Sequence, residues 1–164
     1  MWLLFTLPFI LQALVILIDE AYFHVKRGLP KWEKIGHPLD TLSTLVCFLF
    51  VLAVPYTDTT LYTYVALSII SCLMVTKDEF IHKEHCPGAE NWLHALLFLL
   101  HPLVLILMGW VWPIIQGIKM SSWIEEPALL KGFLEIQAGL VFLFFLYQTI
   151  FWNIVWKEAP VKKL

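Results

Sequence analysis

Six histidines and 13 acidic residues are the side chains of this 164-residue sequence best suited to ligate a metal or move a proton. They are unevenly spread. Glu20 and His24 are four residues apart, as are Glu90 and His94, while Glu79 and His82 are three apart. At about 100° per residue, α-helical positions three or four apart share a face. On that geometry Asp78, His82 and His85 fall within about 60° of one another, and Glu90, His94 and His101 within about 40°. The stretch His37-Pro38-Leu39-Asp40 sets an imidazole and a carboxylate at the start of a further helix. Carboxylate and histidine pairs at these spacings, delivered from several helices, are how helical bundles build dinuclear metal sites. Adjacent turns aim two side chains at one ion, and carboxylates bridge two ions while cancelling their charge.

The candidate ligands are therefore Glu20, His24, His37, Asp40, Asp78, Glu79, His82, His85, Glu90, His94 and His101. Glu20 or Glu79 is the carboxylate placed to act as a catalytic base beside a metal-bound water. Asp19 points about 100° away from Glu20 and reads as outside the set. Glu33 and Glu84, beside lysines, read as solvated ion-pair partners. Cys47, Cys72 and Cys86 are too few and too scattered for a disulfide framework or a CxxC site.

The elements that must carry these residues follow from composition. The sequence is 60% hydrophobic and only 15% charged, with a mean hydropathy of +0.77. A soluble domain is expected to be about 45–50% apolar and about 25% charged, so a soluble globular fold is excluded. Aromatic content of 15% excludes disorder, and a net charge of −2 provides no basic field for nucleic acid. A helix needs roughly 20 mostly apolar residues to cross a bilayer. Five segments qualify: Trp2–Phe23, Leu39–Tyr56, Leu61–Thr76 continuing toward Cys86, Trp92–Ile115 and Leu129–Trp156. The first is not a cleavable signal, because Asp19 and Glu20 stand where small residues would precede a cleavage site. Pro38 fits the first helical position of the second span. The whole of residues 1–164 reads as a single transmembrane helical domain, an all-α integral membrane protein.

Orientation follows from lysine and arginine placement. Lys26, Arg27, Lys31, Lys34, Lys77, Lys83, Lys157, Lys162 and Lys163, nine of the eleven basic residues, fall on one side, and Lys119 and Lys131 on the other. That split puts the N-terminus outside and the C-terminus in the cytoplasm of an inner or other cellular membrane. Trp2, Trp110, Trp112 and Trp123 mark one interface, and Trp32, Trp92, Trp152 and Trp156 the other. All six histidines then lie toward the cytoplasmic ends of spans one to four, so the metal site faces the cytoplasm. A weak internal repeat is also visible. Asp19-Glu20-x3-His24 closes the first span and Asp78-Glu79-x2-His82 the third, each followed by a helix opening with His37 and Asp40 or with Glu90 and His94. On the fifth span Gln137 and Gln148 share a face and read as hydrogen-bonding glue between helices.

Carboxylates mixed with imidazoles suit iron, manganese or zinc. The set exceeds what one zinc ion needs, so two divalent ions are expected, iron first. In outline the chain resembles integral-membrane di-iron oxidases, hydroxylases and desaturases, which gather histidines at the cytoplasmic face of a helical bundle. It lacks their HxxxH and HxxHH boxes, and its ExxxH and ExxH pairs look closer to ferritin-like di-iron carboxylate bundles. The resemblance implies an O2-dependent oxidoreductase acting on a lipid or other hydrophobic substrate that arrives from the bilayer. Lys26, Arg27, Lys31 and Lys34 are placed to hold an anionic head group. With no nucleotide or flavin fingerprint, reducing equivalents would come from a separate electron donor. The alternatives are a zinc-dependent hydrolase of a lipid ester, amide or phosphate, and a non-enzymatic metal transporter or sensor.

Overall fold

A computed structural model describes residues 2–77, 86–124 and 126–156, and among these every regular element is a helix. Helix α1 is α-helical over Trp2–Ile18, opens into a π turn over Asp19–His24 and finishes with one α turn, Val25–Arg27. Helices α2 (Lys31–Ala53), α3 (Asp58–Thr76) and α4 (Gly88–Ile115) follow. Helix α5 (Pro127–Ile150) also ends in a π turn, Phe151–Val155. All five are long and apolar enough to cross a membrane. Their outward positions are apolar as a bilayer requires: Leu99 is 71% exposed, Ile106 67% and Ile136 64%.

Helix α1 packs along α4, while α2 lies against α3, α4 and α5. The apolar core of Cys47, Phe48, Val51, Leu105, Met108, Trp112 and Leu134 fills one part of the bundle. Tyr64 of α3 reaches into it and donates its hydroxyl to the Leu105 carbonyl at 2.6 Å. That approach depends on Gly109, where an added Cβ would sit 2.8 Å from the Tyr64 ring. A capping box between Thr57 and Thr60 starts α3. At the opposite end of α1 and α2, Gly28 adopts φ 71°, which an L side chain resists, and turns the chain back through a three-residue connection. This turn brings Arg27 beside Glu33.

The second span begins seven residues earlier than the proline signal suggests, at Lys31, and Pro38 lies inside the helix. Proline carries no N–H, so the Lys34 carbonyl four residues back loses its helical donor. Asn153, in the π turn of α5, donates to that carbonyl at 3.2 Å. The proline is tolerated because a second helix satisfies the group it frees. The interfacial tryptophans also divide. Trp92, Trp110 and Trp123 are exposed, whereas Trp112 and Trp152 are buried. Trp112 donates to the Val54 carbonyl that ends α2, at 3.1 Å.

Candidate metal centre

The π turn in α1 determines which side chains meet. In an α-helix, positions five apart are rotated by about 140°, so Asp19 and His24 would face different ways. Widening the turn to i→i+5 hydrogen bonding brings them together. His24 consequently receives two carboxylates from its own helix: Glu20 Oε2 lies 3.1 Å from Nδ1, and Asp19 Oδ2 lies 3.1 Å from Nε2. Asp19, read from sequence as pointing away, belongs to the cluster. Helix α4 brings in Glu90, whose Oε1 is 3.6 Å from His24 Nε2, and His94, whose Nε2 is 3.4 Å from Asp19 Oδ2. Helix α2 adds Glu33 and His37, and the His37 ring stacks on that of His24 with centroids 4.8 Å apart.

Two donor sets result. Asp19, His24, Glu90 and His94 form one, and His24, Glu33 and His37 the other, each with ligating atoms within 4.8 Å of one another. Donors about 2.0–2.2 Å from a common ion lie at most about 4.4 Å apart, so a few tenths of an ångström of side-chain rotation closes either set. Asp19, His24, Glu33, Glu90 and His94 are all buried. Asp19 Oδ1 and Glu90 Oε2 have no hydrogen-bond partner, and His24 Nε2 faces two carboxylate oxygens without hydrogen-bonding geometry to either. Buried polar atoms without partners are costly, and a cation among them removes that cost. These donors fit a metal ion, and their oxygen and imidazole chemistry suits borderline or hard divalent ions.

Glu20 stands behind this arrangement and outside both sets. Its Oε2 meets His24 Nδ1, and its Oε1 accepts from Trp152 Nε1 at 2.6 Å. A carboxylate on the far nitrogen orients a ligating imidazole and leaves the other nitrogen for the ion. With both oxygens engaged, Glu20 holds His24 in place and is not poised as the free base envisaged from the sequence.

Arg27 was grouped by sequence with the headgroup-binding lysines, but it turns inward. Its Nη2 lies 2.8 Å from both Glu33 Oε2 and Glu90 Oε1, and its Nε donates to the same Glu90 oxygen at 3.2 Å. Glu33 is wholly buried and not solvated. Lys26 lies over the Tyr22 ring instead, 3.5 Å from its centroid. Asp19, Glu20, Glu33 and Glu90 thus face one guanidinium and three imidazoles, and with neutral imidazoles, as ligation requires, negative charge is in excess. Cys86 also touches the guanidinium, at 3.6 Å. Burial pushes its thiol up to about 12, so without a metal beside it the thiol stays protonated.

The other candidates fall elsewhere. Asp40 pairs with Lys77 at 2.6 Å. His101 lies deeper in the bundle, with Nδ1 3.2 Å from Gln12 Nε2 and Nε2 3.0 Å from Ser71 Oγ. Both of its ring nitrogens are engaged, so it joins α1 and α3 through α4 and is not part of either donor set. Asp78, Glu79, His82 and His85 lie outside the described residues. Gln148 accepts from Thr41 at 2.6 Å, tying α5 to α2 as interhelical glue. Glu33 reads from sequence as a solvated partner of nearby lysines, although Glu33-x3-His37 repeats the spacing of Glu20-x3-His24 and Glu90-x3-His94.

A cavity of about 450 Å³ opens from the cluster into the bundle. Asp19, Glu20, His24, His37 and His94 form its polar end, and Phe9, Phe48 and Val104 its apolar end. Among the described residues, fold and site together define an all-helical protein with five helices able to cross a membrane and a buried histidine and carboxylate cluster that could hold a metal ion. No protein-family model matches the chain, and no curated protein or solved structure matches it either.

Proposed function

We propose that the protein is a membrane-embedded dinuclear metalloenzyme, an oxidoreductase acting on a lipid or other hydrophobic molecule, with iron as the favoured metal. The observation that carries the reading is the cluster of carboxylates and imidazoles delivered by α1, α2 and α4, with more donors than one ion needs, at the mouth of a largely apolar cavity. Two redox-active ions there would supply the electron-transfer chemistry with O2. The protein's own residues prepare the place. Glu20 and Trp152 fix the His24 ring, and Arg27 holds Glu33 and Glu90 at a common point. Apolar walls limit water around the cluster and strengthen every charge interaction within it.

The decisive experiment is elemental analysis and an absorption spectrum of detergent-purified protein produced without metal supplementation. About two iron ions per chain with a charge-transfer band support the reading, and an intact fold with no metal overturns it. One observation favours a second reading. Asp19, His24, Glu90 and His94 alone make a four-donor set, enough for a single zinc ion, and with one of the four giving way to water such an ion would support hydrolysis of a lipid ester, amide or phosphate. One zinc per chain and no redox-active metal would select it.

A further inference from the structure

We propose that the cavity beside the cluster binds the hydrocarbon chain of one lipid from a single membrane leaflet, and that this lipid enters sideways between α1 and α5. The proposal deepens the functional reading above and rests on it for what happens at the polar end, while its own support is geometric.

The bundle is not evenly sealed. Helix α1 packs along α4, and α5 packs mainly against α2. Among the described residues, side-chain contacts join α1 and α5 toward either end of the cavity. At one, the Phe133 ring meets Phe5 and Phe9, with centroids 6.1 and 5.3 Å apart. At the other, Trp152 donates to Glu20 at 2.6 Å. Between these closures, Leu17 of α1 and Leu140 and Leu143 of α5 line the cavity. The same three side chains are 55%, 53% and 61% exposed. Cavity walls this accessible mark an open seam rather than a sealed one, and the seam lies between two helices able to cross a membrane.

The dimensions select the occupant. Glu20 and Phe9 mark the polar and apolar ends of the cavity, and eleven residues at 1.5 Å each place them about 16 Å apart. That is about half of a hydrocarbon core roughly 30 Å thick, the depth of one leaflet. A leaflet lipid already carries its polar end at the interface and its chain at this depth, so a lateral step between the helices seats both ends without a change of level. Gln12, His101, Gln137 and Gln148 also line the cavity, but most of its lining is apolar, which favours a hydrocarbon chain over a water-soluble ligand. The volume of about 450 Å³ lies within the range of about 300–1,000 Å³ common for ligand cavities.

The test uses full-length protein in lipid nanodiscs with a long-chain fatty alcohol bearing a diazirine near its methyl end. After illumination, mass spectrometry should find label on Phe9, Phe48 or Val104 well above that on the outward positions Ile70 and Leu99. Leu140→Trp and, separately, Leu143→Trp narrow the seam and should lower interior labelling about tenfold, as expected for weakened binding. Ile70→Trp, on the far surface, should leave it unchanged. Interior labelling no greater than outer labelling overturns the proposal, as does full interior labelling in both folded seam variants. Metal content is read on the same samples. Interior labelling without metal leaves the lipid site standing and removes the metalloenzyme reading. Metal without interior labelling removes the lipid site alone.

Discussion

Replacing Arg27 by methionine is the sharpest perturbation of the cluster. The substitution keeps much of the side chain's length while deleting the guanidinium that lies 2.8 Å from both Glu33 and Glu90. Those two carboxylates are each 0% exposed, so water cannot replace the lost partner. Stripping one member from a buried ion pair costs about 3–5 kcal/mol, because the remaining charge is left uncompensated. Domains of 150–250 residues shift by roughly 2–4 °C per kcal/mol. With metal removed by a chelator, the apparent Tm in detergent should therefore fall by about 6–20 °C. A divalent ion bound among the same carboxylates supplies positive charge of its own, so adding ferrous, manganous or zinc ion should narrow the gap to less than half. The assay is thermal unfolding of wild type and Arg27→Met, each with chelator and with metal. An unchanged Tm in chelator would show that Arg27 does not compensate two buried charges. A gap that metal leaves untouched would show that the ion does not bind among these carboxylates.

His24 belongs to both donor sets and has one ring nitrogen clear of Glu20, so His24→Ala should remove at least one ion per chain, and His94→Ala and His37→Ala should each lower bound metal by about one. Elemental analysis of folded protein checks this, and a His24→Ala variant that keeps its full metal complement contradicts a ligating role for His24. Trp152→Phe removes the 2.6 Å donor to Glu20 and loosens the carboxylate that orients His24. Metal affinity in chelator competition should fall about 10–100-fold, and equal affinity would mean that Glu20 does not depend on the indole. His101→Leu breaks the hydrogen bonds to Gln12 and Ser71. At about 0.6–1.7 kcal/mol for each of the two interhelical hydrogen bonds in a membrane, Tm should drop by roughly 2–14 °C with metal content unchanged. Loss of metal in that variant would place His101 in the centre itself.

Several parts of the centre were open to reading in one dimension. The pairs Glu20 with His24 and Glu90 with His94 stand at helical spacing, and the structure brings them to one point. Asp19 was hidden because 100° per residue assumes an α-helix, and the π turn over Asp19–His24 breaks that assumption at the residues that matter. Glu33 was hidden by its neighbours Lys31 and Lys34, which suggested a solvated face. Its partner is Arg27, turned toward it by the bend at Gly28. Pro38 was read as a helix start because a proline inside a helix leaves a carbonyl without a donor. The missing donor comes from Asn153, a residue 119 positions away.

By itself the sequence determined the five helices, since a segment's apolar length and the turns that interrupt it are local properties and the bilayer's thickness sets the standard they meet. It determined also that carboxylates and histidines concentrate at the ends of those helices, because helical spacing is local too. Only the tertiary structure decided which charges are buried and which are solvated. That outcome depends on whether an opposite charge from another helix comes within hydrogen-bonding distance. Arg27 and Glu90 are separated by 63 positions in the chain and by 2.8 Å in space. The open seam between α1 and α5 was likewise undecidable from sequence, because a gap between helices is set by which helices pack together and not by what any one of them contains.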